Sequence, residues 1–136
     1  MPRLLQVVRR SEAGQSLVEL ALVLPICLWI VLGIVDFGRV YYLYVVTTNA
    51  AREGARYWAS HPGDSVATIQ SKVQAEASPQ VTITSGQITL SNPTVDQYRV
   101  QVQLSFTPIT PVIATAWGGG ALTITTSAVM PKLTDT

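Results

Sequence analysis

A single glutamate at the start of an uninterrupted apolar run is the strongest constraint on what this chain can fold into. From Ala13 to Tyr44 the sequence reads AGQSLVELALVLPICLWIVLGIVDFGRVYYLY, and the sixteen residues Leu20–Val35 carry no charge. A helix needs about 20 apolar residues to cross a bilayer. Ser16–Val18 and Phe37 complete such a span, with Glu19 and Asp36 near its two ends. A carboxylate at the centre of a membrane helix costs about 2.5–3.5 kcal/mol, and less towards its end. Glu19 therefore calls for compensation. Arg9, Arg10 and Glu12 precede Gly14, a small residue ahead of a hydrophobic segment and so a candidate cleavage point. A cut after Gly14 would place a new amine on Gln15, with Glu19 at the fifth position of the shortened chain. That amine, its own or a neighbour's, would neutralise Glu19 where the local dielectric is low. Without a cut, Glu19 reads as an interfacial residue that snorkels to water.

The charges around the span set an orientation. Arg3, Arg9 and Arg10 crowd the N-terminal side, and the positive-inside rule keeps that end in the cytoplasm. Arg39 beyond the span weakens the asymmetry, but Asp36, three residues earlier on a helix, is placed to pair with it. The net charge is +1 over 136 residues, so there is no electrostatic footprint for nucleic acid.

From Gln15 one long helix is expected to reach Ala59. At 1.5 Å per residue it is about 65 Å long, twice the hydrocarbon thickness. The transmembrane part is placed at about residues 17–37. Pro25 removes one helical hydrogen bond and crowds the carbonyl of Ala21, so a kink is expected there. Tyr41, Tyr42 and Tyr44 follow at the level of an interfacial aromatic belt. Further on, Phe37, Tyr41, Tyr44, Thr48, Ala51 and Ala55 recur at helical spacing. The small residues Ala50, Ala51, Gly54 and Ala55 let another backbone come close. A contact with a partner subunit and packing within the chain are equally compatible with that stripe.

His61-Pro62-Gly63-Asp64 is a turn signal. Ser65 is placed to cap a second helix from Val66 to about Ala77, with Val66, Ile69, Val73 and Ala77 on one face. Ser78 and Pro79 end it. Val81, Ile83, Ile88 and Leu90 suggest a strand interrupted at Gly86. Tyr98, Val100, Val102, Leu104 and Phe106 alternate with polar residues in the clearest strand of the chain. Val112–Trp117 reads as a short helical or irregular crossing and Gly118–Gly120 as a hinge. Leu122, Ile124, Thr126 and Ala128 make a last strand ending near Pro131. Three or four short strands with turn-length links predict a small antiparallel sheet. Its apolar face needs a cover, and the outer half of the long helix is the nearest candidate.

The leader and the apolar run resemble type IV pilins and pseudopilins. In that family a prepilin peptidase cuts after a glycine, and a glutamate at mature position five faces the terminal amine of a neighbouring subunit. Gly14, Gln15 and Glu19 match. Gln15 stands where many major pilins have phenylalanine, a departure from that pattern. The run GQSLVELALVLPICLWIVLGIVDFGRVYY, followed by NAAREGARYWA at Asn49–Ala59, narrows the resemblance to TadE-like proteins of tight-adherence pilus systems. It covers about the first 60 residues. It implies a cleaved cytoplasmic leader over residues 1–14, a long helix over 15–59 and an extracytoplasmic α+β domain over 60–136. It also implies residence in a bacterial cytoplasmic membrane, with possible surface-pilus incorporation. The implied partners are a prepilin peptidase, other pilin-like subunits and an inner-membrane assembly platform. Ala51, Arg52, Glu53, Gly54, Ala55 and Arg56 are candidate partner contacts.

Catalytic chemistry finds little support. His61, the only histidine, lies beside a proline, and Cys27, the only cysteine, lies in the apolar run. They do not make a His/Cys metal site, and no intramolecular disulfide forms. Ile26 before Cys27 is too bulky for a lipoprotein signal, and no small-x-small cleavage site follows the run. Asp64, Glu76, Asp96 and Asp135 are scattered. No metal or cofactor is expected. The reading is a single-pass, pilin-like α+β membrane protein without catalytic activity. A membrane-anchored binding module that enters no filament is the main alternative, and a tethered enzyme the more remote one.

Overall fold

The computed structural model describes residues 4–110, 115–116 and 118–133, with side chains described from residue 14 onward. The first element, helix α1 (Leu4–Ser60), begins eleven residues before the expected start at Gln15. The segment Leu4–Ala13 holds no proline or glycine, only residues a helix accepts, so nothing local separates it from the apolar run. Leu4–Gly14, within the segment that the resemblance marks as a leader, is thus helical. The helix continues through Pro25.

Helix α2 (Val66–Ala77) has the predicted limits. Ser65 caps it, its hydroxyl accepting the N–H of Thr68 at 3.2 Å. Ile69, Val73 and Ala77 form its buried stripe; Val66, expected on that face, is exposed.

The sheet has three antiparallel strands, β1 (Ile88–Ser91), β2 (Gln97–Phe106) and β3 (Leu122–Pro131), in the order β1-β2-β3. Tyr98, Val100, Val102, Leu104 and Phe106 of β2 point into the core as the alternation required. In β3, Leu122, Ile124, Thr126, Ala128 and Met130 lean the same way and their neighbours face out. The register pairs Val102 with Ile88 on one side and with Thr126 on the other.

One strand expectation fails. Val81 and Ile83 are buried, but the chain from Val81 to Thr84 joins no ladder and leads into a short 3-10 turn, Ser85–Gln87. Side chains satisfy its backbone instead. Gln74 Nε2 of α2 donates to the Ile83 carbonyl at 2.9 Å. Gln87 Oε1 accepts the Thr84 N–H at 2.8 Å. The alternation of Val81 and Ile83 records burial against the core, not strand pairing. The crossing expected at Val112–Trp117 lies largely outside the described residues, as does Asp135.

The core sits between the outer half of α1, α2 and the inner face of the sheet. Strand β2 runs antiparallel to α1. Tyr98, near its start, packs on Trp58 with ring centroids 4.6 Å apart. Phe106, at its end, lies under the guanidinium of Arg39 at 4.9 Å. Arg39 to Trp58 rises about 28 Å along a helix, and Tyr98 to Phe106 covers about 26 Å along a strand. The two elements are matched in length, so the connection after β2 is delivered to the end of the apolar run.

Candidate functional site

Every residue from Gly14 to Val35 is exposed except half-buried Gly33. By length and composition this helix is able to cross a membrane, and none of its most apolar stretch is buried inside the molecule. Gly14 to Val35 rises about 32 Å, close to the thickness of a hydrocarbon core. Gln15 and Glu19 lie one turn apart on one face of it, and both are exposed. Pro25 and Cys27 are exposed on the same segment.

At the outer end of this run the structure makes a contact that the sequence does not announce. Asp36 is 3% exposed. Its Oδ2 accepts the backbone N–H of Thr110 at 2.8 Å and its Oδ1 that of Ile109 at 3.0 Å. Arg39 Nη1 donates to Oδ1 at 3.2 Å, the helix-internal pair expected from their spacing. A carboxylate accepting two successive amides and facing a guanidinium has its charge answered by directed donors. The backbone amides come from 73 and 74 residues away, beyond the reach of any local pattern. Pro108 and Thr110 are buried beside Asp36, while Ile109 between them is exposed.

The AAREGAR segment divides. Ala50, Ala51 and Ala55 are fully buried. A Cβ on Gly54 would collide with Cγ2 of Val73 and would stand 3.5 Å from Cγ1 of Val100. Gly54 is thus the point at which α2 and β2 close on α1. Of the six candidate partner contacts, Ala51, Gly54 and Ala55 are used inside the chain, because only small side chains admit α2 there. Arg52 and Arg56 are exposed and Glu53 is half-buried. Arg56 clamps Glu53 with two bonds, Nε to Oε2 at 2.9 Å and Nη2 to Oε1 at 2.8 Å. That hydrogen-bonding pair holds the Glu53 carboxyl below its ordinary value and the Arg56 guanidinium above its own. Arg52 faces a groove of about 400 Å³ between α1 and β3, lined also by Tyr44, Thr48 and Thr126.

His61 stacks on Tyr57 with centroids 4.4 Å apart. The Tyr57 hydroxyl donates to Asp64 Oδ2 at 2.7 Å, and this bond raises the Tyr57 pKa. The group closes the turn between α1 and α2. Among the described residues no three His, Cys, Asp or Glu side chains gather as metal ligands.

The family model described as TadE-like protein matches residues 14–56, which is α1 from the candidate cleavage glycine through the AAREGAR segment. Over these residues, less than half of its length, the chain is similar to TadE-like proteins, as the sequence resemblance implied. No curated protein and no solved structure matches the chain significantly.

Proposed function

We propose that the chain is a non-catalytic pseudopilin or minor pilin that helps to assemble a tight-adherence surface pilus. A prepilin peptidase removes its leader after Gly14, and it works with other pilin-like subunits and an inner-membrane platform. The observation that carries this reading is the exposed apolar stretch of α1, headed by Gly14, Gln15 and Glu19 within the TadE-like segment. Such a rod is at home in lipid and equally in the helical interior of a filament. Gly14 lies inside a helix with open space around it. A mid-helix glycine is destabilising by about 0.5–1 kcal/mol relative to alanine, so Gly14 eases the unwinding that a peptidase needs. The cut removes Arg3, Arg9 and Arg10, which otherwise hold the N-terminus in the cytoplasm. Glu19 then meets the new amine of a neighbouring subunit.

The test is an intact-mass measurement on protein from its native membrane, together with sheared surface fibres. A mass beginning at Gln15, and lower incorporation of Glu19→Ala, are expected. A chain that keeps Met1 beside an active peptidase, and Glu19→Ala incorporated as well as the native chain, would overturn the proposal.

A further inference from the structure

We propose that the domain stands on the membrane through a foot made by Ile109, which rests in the headgroup region of the outer leaflet of the bilayer that α1 crosses. The inference rests on α1 being a membrane span. The Asp36 carboxylate holds the Ile109 amide at 3.0 Å, so this residue of the globular domain lies at the level of the helix's last apolar turn. Ile109 is 58% exposed, between buried Pro108 and Thr110. At the same level Phe37, and about 8–9 Å beyond Asp36 along the helix Tyr41 and Tyr42, are exposed on the side of α1 that the domain leaves free. Ile109 occupies the side the domain covers. Apolar and aromatic groups on both sides of the axis at one height suit lipid, which touches a rod all round. A protein partner would select one side.

The charge pattern points the same way. Of β2 only the end away from the foot carries a charge, Arg99, and from Val100 to Pro131 the sequence supplies no ionised side chain. At the level of the foot stand Asp36 and Arg39 of α1, paired with each other at 3.2 Å, while Asp64, Lys72 and Glu76 lie around α2, Asp96 and Arg99 at the far end of β2, and Lys132 beyond β3. An edge whose charges are already paired approaches a headgroup boundary without the cost of desolvating an unpaired one. Surface elements that lie in that boundary bury apolar side chains about 5–10 Å deep.

The test uses the full chain in vesicles of phosphatidylethanolamine and phosphatidylglycerol, with an environment-sensitive fluorophore on a single cysteine. The native Cys27 reports the span. In a Cys27→Ser background, Ile109→Cys reports the foot, and Val95→Cys, 89% exposed in the turn between β1 and β2, reports the far end. Blue-shifted emission from position 109, lost to lipid spin-labelled near the headgroup while position 95 stays unaffected, is the expected result. If the Cys27 probe is quenched from mid-chain but positions 109 and 95 behave alike, the foot is refuted and the span stands. If the Cys27 probe is not quenched, the span fails and the foot with it. Emission at 109 that ignores lipid quenchers but follows the protein-to-lipid ratio identifies a second copy as the occupant and overturns the proposal.

Discussion

The carboxylate of Asp36, at the outer end of the apolar run, accepts the backbone N–H of Thr110 at 2.8 Å across 74 residues of chain. This bond and its neighbour from Ile109 decide how the domain stands relative to its anchor. Without them the end of β2 would be joined to α1 only by packing and by the Arg39–Phe106 contact. With them, the connection after β2 is tied to one turn of the helix.

Asp36→Asn keeps the shape of the side chain but replaces one acceptor oxygen with an N–H₂ group. One of the two amides then faces a donor. A buried amide left unsatisfied costs about 1–3 kcal/mol, and Thr110 is 2% exposed. Faster hydrogen exchange at Ile109 and Thr110 is expected, with the amides around Tyr98 unchanged. Arg39→Ala, which leaves both amide bonds in place, should produce a smaller change.

Gly54→Ala pushes a methyl group into Val73. Overpacking of this kind costs about 1–3 kcal/mol. Combining it with Val73→Ala makes room for the methyl, so the double variant should lose less stability than the two single losses together predict. Denaturant melts of all four proteins in the same detergent read the coupling. Simple additivity would remove Gly54 as the point of close approach.

The Glu53–Arg56 clamp predicts a small acid effect. The carboxyl is held below its ordinary value of 4.5 by its hydrogen bonds to Arg56. A lowered acid stabilises the fold at pH above the unfolded value, and this contribution is lost as pH falls through the folded one. Both side chains reach solvent, with 38% of the Glu53 side chain exposed, so screening keeps the effect slight. Melts between pH 7 and pH 3 should show the native chain losing slightly more than Arg56→Ala, and the difference should shrink in high salt.

Gly118 and Gly119 take φ of +80° and +77°, a region that other residues enter at a cost of about 1–2 kcal/mol. Gly118→Ala and Gly119→Ala should each lower the melting temperature by several degrees. Gly120→Ala, whose site is open and whose φ is ordinary, should not.

Much of the architecture was legible in short-range pattern. The limits of α2 and the inward phase of β2 and β3 follow from periods of 3.6 and 2, and the exposed stretch of α1 follows from the length of its apolar run. Val81 and Ile83 show where pattern misleads. Alternating burial arises wherever an extended segment lies on a core, and only the supply of backbone partners decides whether it becomes a strand. Gln74 and Gln87 supply them here. The helix starts ahead of Gln15 because Leu4–Ala13 contains no proline or glycine to stop it, and a change of charge along the chain does not end a helix.

The sequence by itself determined the rod: a run of apolar residues too long to hide in so small a core, headed by Glu19 and closed by Asp36. It also determined the greasy faces that had to meet. Only the tertiary structure decided what they met. Ala51, Gly54 and Ala55 were equally suited to a neighbouring subunit or to α2, since small side chains permit close approach without naming the partner. Asp36 had one visible partner, Arg39, on its own helix. Its two backbone donors were beyond inference, because an amide carries no side-chain signature and acquires a partner only when the fold carries it across the chain.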